Sequence, residues 1–258
     1  MNRSFDCRNI SAARWITLGI FAIGICASNA GADLTHRYSF NDAGAAKDSV
    51  GKIDGKLVGG ATIADGKLTL KNDGKSSGDD GVAYLEFAGP ILPKTGSVSI
   101  EVWFTAKDLT GFERVLNIGD HDSGEGQAFI YFTPKTADGQ SRVAITATDT
   151  ASKVAIDNQA LDDGKEHMVA IVIDGTAKKI HFFVDGKEPT AASDLGDNTL
   201  DKVRQVDNWL GRSSFDHDPG YIGTIDELRI YDQPLSADEI TAAQTAGPDT
   251  LPTAAPTK

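Results

Sequence analysis

Asp-Gly occurs eight times in the chain, at Asp54, Asp65, Asp73, Asp80, Asp138, Asp163, Asp174 and Asp185. Aspartate tolerates left-handed backbone and glycine adopts it freely, so this dipeptide marks tight β turns. The pairs at 163, 174 and 185 stand eleven residues apart, which suits consecutive strands of an all-β sandwich. The acids point the same way. Of the 37, 29 are Asp and only 8 are Glu, and Glu favours helices whereas Asp favours turns and caps. A formal charge of −12 excludes nucleic acid as a natural partner, because phosphates need Lys and Arg.

Residues 1–30 differ in character from the rest. Arg3, Arg8 and Arg14 precede an uncharged apolar run at 16–27 (ITLGIFAIGICA), and small residues follow around Ala30. This is the pattern of a signal peptide, and twelve apolar residues are too few to span a bilayer. The mature protein is therefore expected outside the cytoplasm, either secreted or in the periplasm or at the cell surface, with no transmembrane span after processing. Cys7 and Cys26 both lie in this leader, so the mature chain is expected to hold no disulfide. Ile25 before Cys26 argues against lipidation. Losing the leader removes three Arg and one Asp, which takes the charge from −12 to −14.

Between the turns lie short alternating runs. In 97–104 (SVSIEVWF), Val98, Ile100, Val102 and Phe104 share one face, and Ser99, Glu101 and Trp103 share the other. The runs 167–174 and 178–185 flank Gly175-Thr176-Ala177 as a hairpin. One helix is predicted: Ser236 and Glu239 form a capping box, the helix ends near Ala246, and Gly247-Pro248 stops it. Residues 247–258 (GPDTLPTAAPTK) show no periodicity and are expected to form a flexible Pro/Thr tail.

The C-terminal stretch is the most specific. Asn208-Trp-Leu-Gly-Arg-Ser213, Asp218-Pro219, Gly223-Thr-Ile-Asp-Glu-Leu-Arg-Ile-Tyr231 and Pro234-Leu-Ser-Ala-Asp-Glu-Ile240 resemble the signature that ends LamG-like jelly-roll domains of the concanavalin A-like lectin/glucanase superfamily. The opening His36-Arg-Tyr-Ser-Phe40 and the middle segments 99–104 and 183–186 resemble it too. One departure is Glu166-His167, where the family usually has Trp-His. The resemblance implies an antiparallel two-sheet jelly-roll sandwich over residues 33–246, with one short C-terminal helix. It also implies that Trp103 and Trp209 pack in the interior.

Candidate sites follow from residues that the turns do not absorb. Asp226 is an acid inside an apolar run whose core contacts are expected to be Ile225, Leu228 and Ile230. A buried carboxylate must be hydrogen-bonded, paired or metal-bound. Hydrogen bonds or Arg229 would satisfy Asp226; a structural Ca²⁺ shared with Asp48 or Asp54 is the alternative that related sandwiches suggest. Two loops carry the same triplet, Asp120-His121-Asp122 and Asp216-His217-Asp218, and the resemblance implies that they meet at one rim. Asp120, Asp122, Asp216 and Asp218, with Glu125, could supply oxygens to Ca²⁺, whereas His121 and His217 would suit zinc less convincingly. A solvated acidic rim is the competing reading. Phe215 and Tyr221 could stack on a sugar ring, with His121 and His217 beside them. Glycosidases of this fold place Glu-x-Asp-x-x-Glu along one strand; Asp120-x-Asp122-x-x-Glu125 only imitates this, because Gly119, Gly124 and Gly126 argue for a loop. The expectation is a non-catalytic module that binds carbohydrate or a surface glycoconjugate with calcium as the candidate cation. The alternative is a structural or adhesive protein that contacts another surface protein, and a glycosidase or lyase stands third.

Overall fold

The computed structural model describes residues 31–147 and 153–252. The leader, with both cysteines, and the last six residues of the tail lie outside them. In chain order the strands are β1 (Leu34–Tyr38), β2 (Gly55–Val58), β3 (Thr62–Ala64), β4 (Lys67–Leu70), β5 (Tyr84–Phe87) and β6 (Val98–Lys107). There follow β7 (Leu116–Gly119), β8 (His121–Asp122), β9 (Glu125–Gly126), β10 (Phe129–Thr133), β11 (Ser141–Thr146) and β12 (Lys153–Asp157). The series ends with β13 (Asp163–Asp174), β14 (Lys179–Val184), β15 (Ser193–Asp194), β16 (Asp207–Leu210), β17 (Gly223–Tyr231) and the helix α1 (Ala237–Ala246).

Two antiparallel sheets face each other. The first runs β15-β14-β13-β6-β17-β4-β3, with β1 also paired to β17; the second runs β12-β11-β10-β7-β16-β5-β2. Between them lies one continuous core that includes Val98, Ile100, Val102, Phe104, Leu116, Ile118, Ile130, Phe132, Val143 and Ile145. These are the alternate residues of their strands, as the period of two demands. The fold is the all-β jelly-roll sandwich that the sequence implied.

Alternation does not mean that the other face of β6 is wet. Trp103, Met168, Ala170, Val172, Phe183 and Tyr231 form a second apolar layer, which Leu235, Ile240 and Ala243 cover from the helix side. Ser236 caps α1 through the predicted box, and Gly247 ends it at φ 83°. The tail does not leave at that point. Arg229 donates to the carbonyls of Gly247 at 3.2 Å and Thr250 at 3.1 Å, and also to that of Pro248. Arg37 donates to Asp249 O at 3.0 Å. The expectation of a flexible end starting at residue 247 is corrected for these four residues, because two arginines of the sheet hold them by their backbone.

The turns also sharpen the opening pattern. At Asp65-Gly66 and Asp185-Gly186 both residues have positive φ, the geometry of a tight hairpin. Asp163-Gly164 instead lies inside β13, where its register against β6 slips, and Gly55 opens β2. The predicted hairpin around Gly175-Thr176-Ala177 joins β13 and β14.

A bulge explains the spacing of the last strand. Ile225, Leu228 and Ile230 are all fully buried, although the step from 225 to 228 breaks a period of two. Opposite β6, Ile225 faces Phe104 and Glu227 faces Trp103, so Asp226 is the extra residue. Its side chain turns to Lys67 on β4, which also pairs with Glu166 at 2.8 Å. Burial holds the Asp226 carboxyl above its usual range in spite of Lys67.

Candidate ligand-binding rim

The two Asp-His-Asp loops do meet. Residues 121–126 form the small ribbon β8–β9, closed by Ser123 at φ 54° and Gly124 at φ 81°. The turn that the glycines predicted is therefore a hairpin of two residue pairs. Its tip touches the second loop, where Asp216 N donates to Gly124 O at 2.9 Å. Gly124 has φ 81°, which favours glycine, and a Cβ there would stand 2.7 Å from Asp216 Oδ2, so the carboxylate would have to move aside. Gly78 N donates to Asp216 O at 3.0 Å and Ser77 N to Asp218 O at 2.7 Å, so a third segment fastens the second loop.

The joined loops lie over the outer face of the second sheet. Asn117 on β7 donates to Ser214 Oγ at 2.6 Å and accepts from Ser214 N at 3.3 Å. Phe215 stands edge-on to Phe129, with centroids 5.6 Å apart, and remains half-buried. Trp209 is buried on the same face beneath His121, and Arg212 lies 4.5 Å over its ring. Trp103 and Trp209 are both buried as implied, but on the outer faces of the two sheets rather than in the core between them.

Most rim acids serve as braces. Asp120 accepts from Ala128 N at 2.9 Å, which closes the base of its loop, and pairs with Arg204 at 2.8 Å. Asp218 accepts from Ser213 Oγ at 2.7 Å and pairs with Arg114 at 3.0 Å. Burial raises the Asp218 carboxyl, while Arg114 and Ser213 oppose the rise. His121 Nδ1 lies 2.7 Å from Asp207 Oδ2, which fixes the imidazole against Trp209. Asp122, Glu125 and His217 are exposed.

This donor set does not fit a calcium ion, which needs six to eight oxygens converging on one point. Two of the four rim aspartates are neutralised by guanidinium groups. Among the described residues no three His, Cys, Asp or Glu side chains stand together as a metal group. The second expected cation site is not assembled either. Asp48 accepts from His36 Nδ1 at 2.7 Å and from four backbone N–H groups, and Asp54 accepts from Asp48 N at 3.0 Å and pairs with Lys47. Burial alone would raise the Asp48 carboxyl, but His36 and these N–H groups pull it below its usual range. Asp226 turns instead to Lys67, and its pairing with Arg229 is not found because Glu227 occupies that guanidinium.

Tyr221 is the second correction. It is fully buried, and its hydroxyl donates to Thr105 O at 3.0 Å. It cannot stack on a ligand. Sequence reading missed the arginines that brace the rim, Arg114 and Arg204. Arg114 did carry a signal, a charged pair (Glu113-Arg114) set between Phe112 and the largely apolar strand segment 115–118 (VLNI).

A laminin G family model, described as the concanavalin A-like lectin/glucanases superfamily, matches residues 77–241. The chain belongs to that superfamily. Among solved structures it resembles domain 4 of AbnA, a GH43 extracellular arabinanase from Geobacillus stearothermophilus, in complex with arabinotriose. The identity there is 21%, with 82% of this chain and 98% of that one covered at a TM-score of 0.65. The receptor-binding domain of botulinum neurotoxin C/D mosaic serotype matches at 15% identity over 82% of this chain and 51% of that one, with a TM-score of 0.59. The Ruminococcus gnavus IT-sialidase CBM40 bound to α2,3 sialyllactose matches at 20% identity over 57% and 82% of the two chains, with a TM-score of 0.50. At these identities the likeness is one of fold. No curated protein matches the chain.

Proposed function

We propose that the protein is a non-catalytic module that binds carbohydrate at the rim where the two Asp-His-Asp loops meet. The observation that carries this reading is the division of labour in the rim. Asp120 and Asp218 are locked to Arg204 and Arg114 as braces, so the first acid of the glycosidase-like spacing serves the loop rather than a ligand. What faces outward is the half-buried edge of Phe215, the polar groups of His121 and His217, and Gln127. An aromatic edge with a few fixed polar groups suits the mixed surface of a sugar. Membership of a lectin-containing superfamily supports the reading, as do neighbours whose names record bound arabinotriose and sialyllactose, although fold alone does not assign function. The leader at 1–30 supports export, which would place the rim before extracellular or periplasmic glycans.

A second reading, adhesion to another surface protein, draws on Val206, which is 72% exposed beside Asp207 and His121. A glycan array probed with the wild type and with the Phe215→Ala, His217→Ala double variant separates the two. Saturable binding that the double variant weakens supports the module; silence across the array, with a protein partner retained on the same rim, supports adhesion.

A further inference from the structure

Next to the rim, the turn before β7 holds an aromatic ring in an unusual place. Phe112 has φ 70°, a left-handed conformation that is costly for a bulky residue. The turn is held there firmly. The Glu113 carboxylate accepts from Thr110 N at 2.7 Å, Thr110 Oγ1 at 2.7 Å and Gly111 N at 2.8 Å, and Phe112 N donates to Lys135 O at 2.7 Å.

The strained ring stands against two guanidinium groups. Arg114 lies 5.3 Å from its centroid and Arg142, on β11, 5.9 Å from it. Arg114 also stands over the Tyr131 ring, 3.6 Å from its centroid. Only 3% of Arg114 is exposed, yet its Nε and Nη1 have no hydrogen-bond partner, and neither does the buried Nε of Arg142. Asp218 neutralises Arg114, whereas Arg142 makes no ion pair among the described residues. Burial lowers the Arg114 pKa against the pull of Tyr131 and Asp218, and the nearby charge of Arg142 adds a smaller push in the same direction as burial. This corner of the sheet thus holds two guanidinium groups, of which only Arg114 is ion-paired, the Glu113 carboxylate, which is taken up by its own turn, and three donors without a protein partner. Buried donors without a protein partner are uncommon and can be met by water or by a ligand's acceptor.

We propose that Phe112, Arg114 and Arg142 form a subsite for a sugar that carries one carboxylate. The inference rests on the carbohydrate-binding reading and narrows it. A planar carboxylate matches the guanidinium fork, and the Phe112 ring offers an apolar face to the sugar's C–H groups. The acidic remainder of the chain repels a dense polyanion, so the ligand is an isolated acidic sugar on an otherwise neutral glycan.

The test uses matched oligosaccharides capped by a uronic acid or by its carboxyl-reduced, neutral counterpart, titrated calorimetrically into the full-length processed protein. The acid-capped glycan binds, and the neutral one binds at least tenfold more weakly. Arg142→Ala weakens the acid-capped ligand about 10–100-fold, the loss of one charge-assisted contact, and leaves the neutral one unchanged. Arg142→Lys, which keeps the charge without the fork, recovers only part of the loss. Arg142 is half-buried at a strand end, so its variants should fold, and an unchanged melting temperature checks this. Equal affinity for both caps, or an Arg142→Ala variant that binds like the wild type, overturns the subsite while the module reading stands. Binding of no glycan by the wild type overturns both.

Discussion

Glu101 should make this protein lose stability as pH rises from about 4.5 to neutrality. The residue is fully buried on β6, beneath the helix layer. Nearby lies a second buried acid, Glu227, which takes Arg37 through two contacts of 2.8 and 3.1 Å and also takes Arg229 Nε. Glu101 is left with Tyr231 Oη at 3.1 Å and Arg229 Nη1 at 3.7 Å, and its Oε1 has no partner. Burial therefore dominates, partly offset by Arg229, and pushes the carboxyl from 4.5 up to about 7. The folded state then holds this proton more tightly than the unfolded chain does. Its stabilisation is complete below about pH 4.5 and disappears as pH rises to about 7, a change on the order of 3 kcal/mol. Burial of Asp218 and the clamp of Asp185 and Asp163 on His167 act in the same direction, so the wild type alone does not isolate Glu101. Glu101→Gln does, since glutamine keeps the volume and the acceptor for Tyr231 without titrating. Urea unfolding of both proteins between pH 4.5 and 7.5 should show the variant gaining on the wild type by about 3 kcal/mol as pH rises. A stability difference that stays constant across that range would refute the reasoning.

Tyr221→Phe leaves Thr105 O without its donor and should cost about 1–2 kcal/mol, lowering Tm by about 2–8 °C, while glycan affinity stays unchanged; a binding defect would return Tyr221 to the ligand surface. Gly124→Ala forces a Cβ against Asp216 at positive φ, so it should destabilise by about 1–2 kcal/mol and weaken binding as the loops part. Adding millimolar Ca²⁺ should leave Tm where it was, because two of the four rim aspartates, Asp120 and Asp218, already serve arginines; a calcium-dependent rise abolished by Asp120→Ala or Asp216→Ala would contradict this.

The sandwich was legible because its signals are local. Alternation in 98–104, the capping box at Ser236 and the turn pairs at Asp65 and Asp185 each constrain a few neighbouring residues, and the structure keeps these, whereas Asp163-Gly164 falls inside β13 and Gly55 opens β2. The site was only half legible. That the two Asp-His-Asp loops meet followed from the resemblance, but what their carboxylates do depended on partners far along the chain. Arg114 reaches Asp218 from 104 residues away and Arg204 reaches Asp120 from 84, and no spacing rule encodes those pairs. Asp226 looked metal-like because it interrupts an apolar run, but the interruption is a bulge, and bulges show only when both strands are in view. Tyr221 sits beside an exposed loop in sequence and inside the core in space. The strained turn at Phe112 left no trace in composition at all, since its φ is imposed by Glu113 and Lys135 rather than by glycine at that position.

The central claim is that this sandwich binds a glycan at its rim without cleaving it. The most direct measurement titrates the best ligand from the array into wild-type protein by calorimetry, then assays reducing ends in the same cell after prolonged incubation. The account predicts a saturable 1:1 heat that Phe215→Ala, His217→Ala diminishes, with no reducing ends above the protein-free control. Reducing ends that accumulate with time and vanish with Glu125→Gln, or an absence of heat with every ligand, would contradict it.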